Sequence, residues 1–111
     1  DVTGVQTCAL PIYTVLSQKS GTRIQARCDV YIYDAFGVPV SGATVTGHWS
    51  GAATDTFSVT GDTTGKSTDY SNSTTVSSGA AFTCIVDSVA KTGWQYAPAA
   101  NKQTTSTVTV P

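Results

Sequence analysis

Between Arg23 and Tyr33 the chain alternates without a break. Ile24, Ala26, Cys28, Val30 and Ile32 hold the even positions, and Arg23, Gln25, Arg27, Asp29 and Tyr31 the odd ones. Strict period two sets one face of a strand against a core and the other in water, as in an antiparallel sheet. Asp34-Ala35-Phe36-Gly37 predicts a turn, because an Asp side chain accepts from the backbone just ahead of it and Gly tolerates positive φ. Val38-Pro39-Val40 starts the return, with Pro39 at a strand entry or edge where no ladder donor is needed. A second alternation puts Ala43, Val45, Gly47 and Trp49 on one face and Thr44, Thr46, His48 and Ser50 on the other. Phe57 and Val59 give Asp55 to Thr60 a core face, and Gly61-Asp62 reads as a turn. Phe82, Cys84 and Val86 alternate with Thr83, Ile85 and Asp87; Thr104 to Val110 is a closing strand, and Tyr13 to Ser17 the remainder of a first one. Gly65 to Thr75 is weakly patterned and predicts a short solvated strand with a loop, and Gly93 to Pro98 an aromatic loop. No segment carries a helical period. Six to seven short strands separated by turn residues predict an all-β antiparallel sandwich whose core includes Ile24, Val30, Ile32, Val45, Trp49, Phe82 and Val86.

Composition agrees with that class. The 111 residues include 20 Thr and 12 Ser, while Glu and Met are absent. Thr, Val, Tyr and Ile favour strands over helices. With a net charge of −1 and no Lys/Arg cluster, a nucleic-acid partner is not expected, since that needs a basic face. No uncharged aliphatic run approaches the length of a spanning helix, so membrane insertion is not expected either.

The opening does not match the rest. Val2 to Ile12 resembles the conceptual translation of a common short-read sequencing adapter; the alternative is a genuine edge strand carrying a Cys and a Pro. Residues 1–12 are therefore set aside as a non-native segment, and 13–111 are read as a single module. Without that segment two cysteines remain, Cys28 and Cys84, with six Asp balancing six Lys and Arg. Both cysteines sit on inward faces of separate strands, with Trp49 between them in the sequence. That order is the immunoglobulin-like signature of an inter-sheet disulfide packed on a core Trp, although Phe82 stands where antibody-type domains carry a Tyr. A structural disulfide implies an oxidising compartment.

The stretch Val30-Tyr31-Ile32-Tyr33-Asp34-Ala35-Phe36-Gly37-Val38-Pro39-Val40-Ser41-Gly42-Ala43-Thr44-Val45 resembles bacterial immunoglobulin-like and carboxypeptidase-regulatory-like (transthyretin-like) β-sandwich modules. The continuation Gly47-His48-Trp49-Ser50-Gly51, with Thr64-Gly65, Phe82, Val86, Val89, Gly93, Tyr96-Ala97-Pro98 and Asn101, is similar to accessory modules C-terminal to secreted subtilisin-like proteases. Such modules often carry a Cys pair in the middle hairpin, where Phe57 to Lys66 has none. The resemblance implies a secreted, extracellular bacterial module with no catalysis of its own. Its partner would be a host enzyme domain in the same full-length chain.

Candidate chemistry is sparse. The lone His48 falls on a wet strand face, and neither a second His nor a Cys-x-x-Cys accompanies it, so neither catalysis nor a metal site is expected. Asp34, Asp62 and Asp87 lie near strand ends, where carboxylates either cap their own turns or gather calcium; the first reading is preferred and no cofactor is called for. The aromatic residues Trp94, Tyr96, Tyr31 and Tyr33 are the candidate ligand-binding set. Exposed flat rings can stack on sugar faces, which makes a polysaccharide or cell-surface polymer the alternative partner.

Overall fold

The structure, a computed structural model, describes residues 6–9, 12–20, 23–34, 36–92, 94–96 and 105–111, with side chains for 12–16, 23–34, 36–92 and 105–111. Among the described residues there is no helix, and the strands in chain order are β1 (Gln6–Ala9), β2 (Ile12–Ser20), β3 (Arg23–Tyr31), β4 (Tyr33–Asp34), β5 (Thr44–Gly51), β6 (Thr56–Thr60), β7 (Lys66–Tyr70), β8 (Thr74–Thr75), β9 (Ala81–Ala90), β10 (Trp94–Tyr96) and β11 (Thr105–Thr109). Two antiparallel sheets form the body, one ordered β2-β3-β7 with β8 also on β3, the other β11-β9-β5-β6. The seven strands of five residues or more all belong to these two sheets. A third ribbon, β10-β1-β4, joins β1 to β10 in parallel and to β4 antiparallel.

The core lies between the two sheets and follows the alternation of the sequence. From the first sheet come Ile24, Ala26, Cys28 and Val30, each at most 2% exposed; Ile32 follows at 0%, and Val45, Trp49, Phe82 and Cys84 of the second sheet are as deeply buried. Cys28 and Cys84 form a disulfide from β3 to β9, with Cα atoms 6.3 Å apart and a sequence separation of 56. Trp49 pairs with Cys84 on the neighbouring strand, so the indole and the bridge share one layer. Burying side chains of this size contributes roughly 1.5–3 kcal/mol each.

β2 is longer than the alternation around Tyr13 to Ser17 indicated. It starts at Ile12, which pairs with Val30 and is 1% exposed, and passes Leu16 through a bulge. Ile12, Thr14 and Leu16 turn inward or are half-covered, while Tyr13 and Val15 are exposed. β1 likewise falls inside the segment set aside at the sequence level.

The expectation of a solvated strand between Gly65 and Thr75 is corrected. β7 and β8 are two pieces of one line of chain paired to β3, and their inward side is polar: Ser67 and Ser71 are each 1% exposed. At Ser71 and at Asp69 hydrogen bonds compensate for the missing hydrophobicity, since a buried polar group is costly only when unpaired, as the Ser67 hydroxyl is. Ser71 Oγ accepts the Ala26 N–H at 3.0 Å where the ladder is interrupted, and the Ser71 N–H donates to the Ala26 carbonyl at 2.9 Å. Asp69 Oδ2 accepts the Trp49 indole N–H at 2.8 Å, tying the two sheets together beside the disulfide.

Burial holds the Asp69 carboxyl above its ordinary value, with the Asp55 charge adding to the rise and the Trp49 N–H opposing it. Between the ordinary and the raised value the native chain binds more protons than the unfolded one. This group's favourable contribution is therefore complete below the ordinary value and is lost as pH rises through the raised one. Asp69→Asn keeps an oxygen for the indole and removes the charge. The expected outcome is a melting temperature at neutral pH that is unchanged or higher, and loss of the fall in stability that this group contributes as pH rises past the ordinary carboxylate value, read by thermal melts at stepped pH.

Candidate functional site

The outer face of the β2-β3-β7 sheet collects the aromatic and charged residues that the core rejects. Register places Tyr13 of β2 opposite Asp29 of β3, which faces Thr68 of β7; in the next row Val15, Arg27 and Tyr70 align; and Tyr31 pairs with Lys66. Tyr13, Val15 and Tyr70 are 56%, 40% and 50% exposed, so among the described residues three of the five exposed large hydrophobic side chains share this face. The rings of Tyr13 and Tyr31 meet edge to face with centroids 5.6 Å apart, and Lys66 Nζ lies over the Tyr31 ring, 6.0 Å from its centroid. These are the ordinary ranges for aromatic pairs and for cation–π contact.

Asp29 is the hub of the face. Its carboxylate is 8% exposed, because three neighbours close over it: Arg27 at 3.2 Å, Lys66 at 4.0 Å, and Thr68, whose hydroxyl donates at 2.9 Å. A charge this covered persists only when paired. The pairing also fixes the side chains of Arg27 and Lys66, which stay 38% and 36% exposed. At the far end of β3, Arg23 is exposed and donates to the Ser73 carbonyl at 3.1 Å.

Of the four aromatic residues picked out in the sequence, only Tyr31 joins this face. Tyr33 belongs to β4, where it pairs with Ala9 and bridges Pro39. Trp94 and Tyr96 are not on a loop: their backbone forms β10 beside β1, and their side chains lie outside the described residues. Tyr13 and Tyr70 were missed. Tyr70 lies on the strand whose polar inner side hid it, and Tyr13 at the border of the segment set aside; the Tyr13/Val15 alternation against Ile12, Thr14 and Leu16 was the readable signal.

The second sheet has its own polar feature. A bulge in β9 shifts the register between Thr46 and Gly47, so that Gly47 pairs with Val86, Thr46 with Ser88, and Asp87 is the extra residue. Asp87 Oδ2 then lies 2.8 Å from His48 Nδ1, both side chains being substantially exposed. An Asp-oriented His is half of a hydrolytic triad in type, yet among the described residues no hydroxyl is hydrogen-bonded to the ring.

Asp34 and Asp62 are occupied with their own turns. Asp34 Oδ1 accepts the N–H groups of Phe36 and Val38 at 2.8 and 2.9 Å. Asp62 Oδ1 accepts the backbone of Thr64 and Lys66 and the Thr64 hydroxyl. The Thr64 hydroxyl, then the Thr64 and Lys66 N–H groups, lower the Asp62 carboxyl from its ordinary value. The stabilisation from Asp62 is therefore present above the ordinary value and lost as pH falls through the lowered one. Asp62→Asn should flatten the acid limb of the stability profile, opposite in sign to the Asp69 effect, in the same stepped-pH melts.

No family model matches the chain, and no curated protein or solved structure matches it significantly.

Proposed function

We propose that the chain is a non-catalytic, immunoglobulin-like accessory module of a larger secreted bacterial protein, of the hydrolase type whose accessory modules the Gly47–Gly51 continuation resembles. The observation that carries this reading is the Cys28–Cys84 bridge linking the sheets beside Trp49. The strand order supports it. With β2, β3 and β7 in one sheet and β11, β9, β5 and β6 in the other, the bridge joins the second strand of the first sheet to the second strand of the other, and the Trp lies on the adjacent strand. A module of this kind works by shape: a rigid, protease-resistant spacer that sets the distance between its host domain and a surface. The test is to express residues 13–111 and the full chain under oxidising conditions and treat each with a broad-specificity protease, with and without reductant. The expected outcome is a resistant oxidised core and rapid digestion after reduction; alkylation of both Cys28 and Cys84 in the denatured, unreduced protein would overturn it.

A second reading, binding of an extracellular polymer, is favoured by one observation: Tyr13, Tyr31 and Tyr70 gather on a single exposed sheet face.

A further inference from the structure

We infer that the outer face of β2-β3-β7 binds a carboxylated polysaccharide, with Tyr13 and Tyr70 as stacking surfaces and Arg23, Arg27 and Lys66 as carboxylate partners. The inference rests on the second reading above and names its ligand class.

The argument starts from charge segregation. The whole chain has a net charge of −1, with six Lys and Arg. Among the described residues, this face holds Arg23, Arg27 and Lys66 against the single carboxylate of Asp29. The Asp29 side chain is 8% exposed while the side chains of Arg27 and Lys66 are over a third exposed, so the field that reaches solvent is positive. The excess suits an anionic partner, and the aromatic content narrows it. Tyr13 and Tyr70 stand on the outer strands of the three and in adjacent rows, about 12 Å apart by strand spacing and rise, with Asp29 and Arg27 between them. Rings flanking cations fit a chain of sugar rings, each with an apolar face to stack and a carboxylate to pair. Tyrosine and arginine also suit single-stranded nucleic acid, but the cations are too sparse for it. With three cations against one carboxylate the face offers a net excess of only two charges, little for a ligand whose affinity comes mainly from neutralised phosphates. A polyuronate, in which each carboxylate comes with a ring to stack, is the closer match. The ion pairs on Asp29 also pre-set two of the three cations, which reduces the ordering cost of binding.

The test is affinity electrophoresis of the intact oxidised chain in native gels containing polygalacturonate, dextran or a thymidine oligonucleotide. Retardation by polygalacturonate alone is expected, suppressed by added salt as screening requires. Tyr70→Ala and Arg23→Gln should each weaken it at least fivefold, and Phe36→Ser, on the distant Asp34 turn, should leave it unchanged. Each variant is first shown to melt with the parent; if Tyr70→Ala melts early, Arg23→Gln on its exposed strand end carries the same comparison. Equal retardation in dextran overturns the acidic ligand and keeps polymer binding. Retardation by the oligonucleotide and not by polygalacturonate assigns the face to nucleic acid instead. Polygalacturonate binding untouched by either variant moves the site elsewhere. No retardation in any gel overturns both the inference and the second reading, leaving the spacer role to its own protease test.

Discussion

Gly47→Ala is expected to leave little soluble protein, and what remains soluble should unfold at far lower urea than the parent. Gly47 is buried on β5 between Phe57 of β6 and Val86 of β9. A Cβ here would clash with the Ile85 carbonyl oxygen and lie 2.6 and 2.9 Å from two atoms of the Phe57 ring. Neither neighbour has an easy retreat. The Ile85 carbonyl is backbone in the β5-β9 ladder, one position from the bulge that admits Asp87, and the Phe57 ring is itself only 7% exposed. Overpacking a well-filled site costs about 1–3 kcal/mol where side chains can shift, and more where backbone must move. The upper end applies here, against a total stability of roughly 5–15 kcal/mol for a domain. Thr46→Ala, one residue away and exposed, should change the unfolding free energy by no more than about 0.5 kcal/mol. A Gly47→Ala unfolding free energy within about 1 kcal/mol of the parent would mean that the bulge relaxes to make room, and the argument from the close approach would fall.

The same bulge marks where period two stops being readable. Through Phe82, Cys84 and Val86 the alternation of β9 tracks burial, but the extra residue at Asp87 shifts the parity, so that Val89 is buried and Ser88 exposed. β3 and β5 were legible because every inward position on them is apolar or Gly. β7 was not, because Ser67, Asp69 and Ser71 look inward and are retained by hydrogen bonds, apart from the Ser67 hydroxyl, which is buried without a partner. A hydrophobicity pattern cannot register a strand whose inner side is polar. The candidate site suffered from the same cause. Tyr31 was visible on the wet face of β3, but its companions Tyr13 and Tyr70 become neighbours only through the β2-β3-β7 register, and the Asp29 hub depends on Lys66 and Thr68 from the unread strand. The His48–Asp87 contact joins residues 39 apart through the bulge, which no local pattern announces.

Replacing both Cys28 and Cys84 by Ala is expected to be nearly as damaging as Gly47→Ala, with a different signature. The bridge spans 56 residues of sequence, and closing a loop of that length in the unfolded chain corresponds to roughly 4 kcal/mol of stabilisation. Two buried sulfur atoms are also lost from positions 1% and 0% exposed, which adds a packing defect beside Trp49. In urea the midpoint should therefore fall steeply while the slope of the transition rises, because an unfolded chain without the bridge expands and exposes more surface. Gly47→Ala lowers the midpoint without that rise, so the two mechanisms separate in one pair of titrations. A midpoint unchanged in the double variant would show that the sheets hold together without the bridge, and would remove the main physical reason for placing the chain in an oxidising compartment. A large fall with the steeper slope would mean that most of the margin between folded and unfolded chain depends on an oxidised bond, as expected of a module that works outside the reducing cytoplasm.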